Sequence, residues 1–189
     1  QRPVPGGQRR PLTPVGALKV GVVGCGVAGQ AVATLLADAG HRVAIYERFA
    51  EALPSGAGLL LQPTGLAVLR ALGLAEEAEG LGARIDGLLG LNHRGHVVLD
   101  LAYGDLHPAA YGLGIHRGAL FELLHGRLLR STAGLVTDAE IVDIVRDAGR
   151  ATVVDKAGRR YGPFDLVVVA DGAHSRLRER LMPRARAPL

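Results

Sequence analysis

The stretch "KVGVVGCGVAGQAVATLLADAGHRVAIYER", Lys19 to Arg48, constrains this 189-residue chain more than any other part of it. From Val20 to Ala37 only Gln30 and Thr34 are polar, and those eighteen residues have the length of a membrane span. Glycines nevertheless fall at Gly24, Gly26 and Gly29, and the spacing gives each a separate mechanical task. The first allows a tight strand-to-helix turn, the second lets backbone approach a pyrophosphate, and the third lets the helix pack closely on the strand. A short apolar strand, Leu18 to Val23, precedes the glycines; a helix from Val27 to Ala39, closed by Gly40, follows them. His41 to Tyr46 then reads as a second strand ending at Glu47, eighteen residues after Gly29 and near the ~20 expected of an acid that holds ribose hydroxyls. The parts in this order predict a Rossmann-like dinucleotide unit whose helix amides, at Gly26, Val27 and Ala28, face the phosphates.

An export reading competes with this one. Arg9 and Arg10 resemble a twin-arginine signal, and "VVGC" ending at Cys25 faintly resembles a lipoprotein cleavage site. Either processing event would remove or split the strand the fold needs. Residues 1 to 16, with four prolines, three glycines and three arginines, cannot build a core and read as a disordered extension; residues 183 to 189 read as a tail. The expectation is therefore a protein with no membrane segment. The single cysteine excludes an internal disulfide framework and a cysteine-cluster zinc site, and fits a cytoplasmic location.

The net charge of +4 raises the question of nucleic acid, and its distribution answers it. Residues 1 to 16 and 176 to 189 hold eight arginines and one acid, which leaves 14 basic against 17 acidic groups between them. Without a basic stripe interleaved with aromatics, no nucleic-acid partner is expected. His93, His96, His107 and His116 lack metal-ligand spacing or a partner acid and read as surface or structural, so no metal is expected. No GxSxG elbow and no Walker lysine occurs, and no catalytic side chain is named.

The first fingerprint alone leaves NAD, NADP and FAD open, although Glu47 disfavours a 2′-phosphate by charge repulsion. The choice rests on "FDLVVVADGAHSRLRERL", Phe164 to Leu181, a buried-type strand turning at Asp171 and Gly172 into a helix near Ser175. Here the chain resembles the FAD-dependent aromatic-ring monooxygenases of the para-hydroxybenzoate hydroxylase family. Their second fingerprint is matched by Asp171, Gly172, Ser175 and Arg176. Two further stretches fit the same resemblance: "ALPSGAGLLLQPTGLAVLRALGL", Ala52 to Leu74, and "IHRGALFELL", Ile115 to Leu124.

The resemblance implies FAD as cofactor, NADH or NADPH as reductant, and a small aromatic molecule as substrate, into whose electron-rich ring one atom of O2 is placed. Carried over residue by residue, the FAD contacts are Gly24, Gly26, Val27, Ala28, Gly29, Glu47, Arg48, Leu60, Arg117, Asp171 and Gly172. An adenine contact in the strand after the Arg117 helix falls by spacing at Val142, give or take two residues. The implied fold is a doubly wound α/β domain over residues 17 to 182. Its parallel strands are expected near 18 to 23, 42 to 47 and 166 to 170. Antiparallel strands are inserted at about 85 to 115, around "HRGH", and at 140 to 155, around "DAGR".

One family element is missing. The third fingerprint, an apolar strand leading into Gly-Asp, does not follow Asp171, and Gly104-Asp105 comes too early and reads as a loop. Family members are about twice this length, so the domain reads as truncated, with an apolar face open to self-association. A related flavin or NAD oxidoreductase, and a non-catalytic remnant that binds flavin weakly, stay open as alternatives.

Overall fold

The computed structural model describes residues 16–51 and 57–184. The expectations for residues 1 to 15, and for Ala52 to Gly56 in the second family stretch, lie outside the described residues.

In chain order the elements begin with β1 (Lys19–Val23), α1 (Val27–Asp38), β2 (Arg42–Tyr46), β3 (Gly58–Leu61), α2 (Pro63–Ala71) and α3 (Ala75–Gly80). They continue with β4 (Gly82–Ile85), β5 (Gly87–Leu91), β6 (Val97–Ala102), β7 (Gly112–His116), α4 (Arg117–Leu129) and β8 (Gly134–Val136). The last are β9 (Ile141–Asp147), β10 (Arg150–Asp155), β11 (Arg160–Phe164), β12 (Leu166–Val169) and α5 (Arg176–Leu181).

The apolar run from Val20 to Ala37 is divided between a strand and a helix. Among the described residues no helix is long and apolar enough to cross a membrane. Helix α1 buries Gly29, Ala33 and Ala37, a stripe of small residues at four-residue spacing that lets the helix lie close on the sheet. It ends at Gly40, whose φ of +85° suits glycine and whose N–H donates to the Ala37 carbonyl.

Four parallel strands form the central sheet in the order β12-β1-β2-β8. The three strands expected from sequence are adjacent, with Val23 opposite Tyr46 on one side and Val169 on the other. The fourth, β8, is an addition to the sequence reading, and its Gly-Leu-Val is too short to carry a period. Around it are an antiparallel β11-β10-β9 sheet, an antiparallel β3-β7-β4 sheet and the β5-β6 hairpin. The turns at "HRGH" and "DAGR" are therefore both hairpin turns, as the sequence suggested. Gly104 and Asp105 sit in a short 3-10 turn rather than an open loop, with Tyr103 buried beside them.

Three apolar clusters hold these layers. Leu66, Leu69, Leu113, Ile115, Leu120 and Leu124 join α2 and α4 to the small sheet, and Val20, Val22, Ala33, Ile45 and Leu128 join α1 to the central sheet. The third cluster contains Val23, Tyr46, Ile141, Val153, Phe164 and Leu177 and seats β9, β10 and α5. Gly21 makes room there: a Cβ at that position would stand 3.0 Å from the Phe164 ring.

Candidate functional site

The glycine turn at the carboxyl end of β1 is closed on two sides and open on one. Gly24 has φ +98°, and a Cβ there would stand 2.6 Å from the Ala170 carbonyl oxygen and 2.9 Å from the Asp171 Cα. A Cβ at Gly29 would stand 1.8 Å from the Gly24 carbonyl oxygen. These two glycines let backbone meet backbone. Gly26 differs, because its Cβ would meet no heavy atom within 4 Å. As N-cap of α1 it supplies no side chain to the first-turn amides, and no acid occupies that turn, so the positive end of the helix faces open space. Val27 is half-buried and Ala28 exposed beside it.

Glu47 lies over this turn. It is buried, and its Oε2 accepts the Cys25 N–H at 2.9 Å while its Oε1 accepts the Phe49 N–H at 3.1 Å. Its backbone is fixed as well: the Glu47 N–H donates to the Val136 carbonyl, and the Glu47 carbonyl accepts from Ala139. Gln30 completes the turn from within, its side-chain amide donating to the Cys25 carbonyl at 2.9 Å. The sequence signal for Gln30 was its polarity inside an apolar helix.

Ala170 and Asp171 follow β12 and abut Gly24, with Gly172 next in the chain, so the two fingerprints form one continuous lip. Ser175 caps α5, its Oγ accepting the Arg178 N–H at 3.0 Å, and Arg176 is exposed at the start of that helix. The structure thus brings Gly24, Gly26, Gly29, Glu47, Asp171 and Gly172 together at the carboxyl ends of three neighbouring parallel strands. Crevices of that kind are where open α/β sheets take ligands.

The remaining sequence-derived positions are placed less uniformly. Arg117 opens α4, its N–H donating to the Ala57 carbonyl, and its exposed guanidinium makes no ion pair among the described residues. Leu60 lies half-buried on β3, opposite Gly114 of the same small sheet. Val27 packs against the cluster containing Ile115 and Leu120, which links the α4 start to α1. Arg48 is exposed, its guanidinium 4.5 Å from the Phe49 ring centre.

Val142 lies on the second strand after α4 rather than the first. The strand that follows α4 is β8, which runs beside β2 and ends at Val136 next to Glu47. Val142 belongs to the next strand, in another sheet, and its carbonyl accepts from Arg180. Spacing alone overlooked a three-residue strand. Of the histidines, His116 caps α4 by accepting the Gly118 N–H, His107 accepts the Ala109 N–H, and His93 and His96 are exposed. Among the described residues no group of three His, Cys, Asp or Glu side chains is placed to hold a metal ion.

Cys25 is buried within the glycine turn, and its thiol is pushed up to about 12, first by burial and then by the Glu47 charge. In the folded chain it should react with a disulfide reagent such as DTNB at pH 8 far more slowly than in urea, by roughly 10³-fold in thiolate fraction alone. Equal rates in the two states would contradict the burial. Because the folded thiol holds its proton more tightly than the unfolded one, this contribution to stability is complete below about 9 and is lost as pH rises toward about 12.

Comparison with known proteins gives a consistent picture. A family model described as an FAD binding domain matches residues 17–187. The 6-hydroxynicotinate 3-monooxygenase of Pseudomonas fluorescens is 30% identical over 168 residues, covering 87% of this chain and 43% of that protein. The 3-amino-4-hydroxybenzoate 2-monooxygenase of Streptomyces cremeus is 34% identical over 170 residues, covering 87% and 42%. Among solved structures, the tetrameric form of 2-methyl-3-hydroxypyridine-5-carboxylic acid oxygenase superposes with a TM-score of 0.73 at 23% identity, covering 89% of this chain and 43% of that one. That likeness is one of fold. The chain spans about two fifths of the length of these relatives.

Proposed function

Because the chain belongs to the FAD binding domain family, we propose that residues 17 to 182 hold the adenosine and pyrophosphate half of FAD in the crevice between the two fingerprints. The observation that carries this reading is the open space at Gly26, bounded by unshielded α1 amides, the buried Glu47 carboxylate and Asp171. The residues fit the group: pyrophosphate meets helix amides without a competing acid, and Glu47 offers ionised acceptors to ribose hydroxyls. Gly24 and Gly29 shape the turn, Val27 and Ala28 contribute amides, and Gly172 gives the lip a bend at φ +91°. Arg117, Arg48 and Leu60 flank the site, and the neighbour of the adenosine on the following strand is Val136 in place of Val142.

Bound FAD supplies the redox chemistry, and the residues of this chain bind it, orient it and keep water from its adenosine half. The activity of the protein to which this domain contributes is monooxygenation of an aromatic or heteroaromatic small molecule with NADH or NADPH as reductant. Two relatives carry names of that class of reaction. A cytoplasmic location agrees with the single, buried cysteine. Self-association through exposed apolar strands belongs to the same reading.

The test is Glu47→Ala, with FAD and FMN titrated in parallel by calorimetry. FAD should weaken by about 1 to 3 kcal/mol, the magnitude of lost charged hydrogen bonds to hydroxyls. FMN lacks the adenosine and should be unaffected. An FAD affinity equal to wild type would remove Glu47 from the site.

A further inference from the structure

The carboxylate of Asp155 is the most enclosed charge outside the crevice, with its side chain only 1% exposed. It accepts the Arg159 N–H at 2.8 Å, the Arg159 Nε–H at 2.5 Å and the Tyr161 hydroxyl at 3.0 Å. Burial alone would raise the Asp155 carboxyl, but these donors outweigh it and hold the group below the usual carboxylate range. A pair that only closed the turn between β10 and β11 would need nothing more. Arg159 does more, because its Nη2 reaches away from the hairpin and donates to the Asp138 carbonyl at 2.5 Å.

Asp138 stands in the turn between β8 and β9 with φ +50°, a left-handed conformation that aspartate tolerates. From that turn, the Asp138 N–H donates to the Phe49 carbonyl at 3.1 Å and the Ala139 N–H donates to the Glu47 carbonyl at 2.8 Å. The segment from Glu47 to Phe49 is thus gripped at both ends, and Phe49 in turn donates its N–H to the Glu47 Oε1. A second link runs in parallel. The Tyr161 ring, tied to Asp155 through its hydroxyl, lies 4.8 Å from the Tyr46 ring, centre to centre, one residue before Glu47.

We propose that Asp155 and Arg159 are positioning residues for the Glu47 carboxylate, setting how strongly this domain discriminates in favour of the ribose hydroxyls of its adenine nucleotide. The proposal rests on the reading of Glu47 as the ribose acceptor. Neither residue touches the nucleotide; they act by fixing the turn at Asp138 and Ala139, and through it the backbone that carries Glu47. Charge-assisted hydrogen bonds to a buried carboxylate hold geometry more tightly than neutral ones, which suits them to this task.

The experiment measures binding of ADP and of 2′,3′-dideoxy-ADP to the 189-residue chain and to Glu47→Ala, Arg159→Leu, Arg159→Lys and Asp155→Asn. Wild type should prefer ADP by ~10-fold or more, the effect of charged hydrogen bonds to the missing hydroxyls. In the Arg159 and Asp155 variants that preference should fall to near the Glu47→Ala value, while affinity for 2′,3′-dideoxy-ADP stays within about 2-fold of wild type. Arg159→Lys keeps a cation beside Asp155 and loses the fork, so it decides the matter if Arg159→Leu fails to fold. A folded Arg159 variant with the full hydroxyl preference overturns the positioning role alone. So does equal weakening of both nucleotides, which marks a general structural defect. A wild-type chain that binds both nucleotides equally overturns the positioning role and the Glu47 reading together.

Discussion

Gly29→Ala is expected to destabilise the domain by about 3 kcal/mol or more, whereas Gly26→Ala, three residues earlier, should leave stability within about 0.5 kcal/mol of wild type. The reason is what each new methyl group meets. At Gly29 it would stand 1.8 Å from the Gly24 carbonyl oxygen, a backbone atom that can move only if the turn opens. Small domains have ~5–15 kcal/mol of net stability in total, so the change consumes a large share of it. At Gly26 the methyl group enters empty space, on a backbone at φ −76° and ψ −175° that any residue adopts. That space is where the proposed site receives the pyrophosphate, so Gly26→Ala should weaken FAD by ~10-fold or more. Urea denaturation and FAD titration on the same preparations check both halves. Wild-type FAD affinity in Gly26→Ala would mean that the pyrophosphate lies elsewhere.

The 189-residue chain alone is expected to lose FAD on gel filtration and to associate with itself as its concentration rises. On the proposed reading its crevice groups, from Gly24 to Gly29 with Glu47 and Asp171, grip one half of the cofactor, and the chain spans about two fifths of its relatives' length. The association has a visible surface. Every residue of β6 is exposed, and Leu89, Leu91, Val97, Val98, Leu99 and Leu101 present their side chains to water on a two-stranded sheet. Each is worth about 1.5–3 kcal/mol if fully covered, enough for a few of them to drive weak pairing. Leu89→Lys with Val98→Lys, at the positions 66% and 67% exposed, should shift sedimentation toward monomer with little change in unfolding midpoint. A wild-type chain that stays monomeric at all concentrations, or that retains stoichiometric FAD through the column, would contradict this expectation.

The parts of the site that could be read from sequence are those whose chemistry is local. Gly24, Gly26, Gly29 and Glu47 stand on one strand–turn–helix–strand unit, so their spacing carries the geometry with it. Asp171 and Gly172 were read through the resemblance of their strand-to-helix turn to the family's second fingerprint. What escaped depends on pairings between distant segments. The three residues of β8 have too few positions to show alternation, yet they supply the carbonyl that fixes the Glu47 N–H. Without that strand, spacing led to Val142 on the strand that comes after it. Gly21 carried no signal of its own, although it admits the Phe164 ring from a strand more than 140 residues later. Asp155 and Arg159 gave no signal either, since two charges four residues apart across a hairpin turn are unremarkable until Asp138 is seen beside them.

The central position of β1 also sets a schedule for the protein's synthesis. Its neighbours are β2, which leaves the ribosome soon after it, and β12, which leaves it last of the four strands of this sheet; the Lys19 N–H and the Asp165 carboxylate that accepts it are 146 residues apart. At ~5–20 residues per second, the nascent β1 waits on the order of ten seconds with one edge unpaired. During that interval the first glycine turn has no Ala170 or Asp171 to rest against, so the lip proposed to bind the nucleotide is finished only once β12 has been made. On the proposed reading cofactor capture waits for β12, and a ribosome stalled before β12 would display an apolar strand edge to chaperones instead of a half-built binding site.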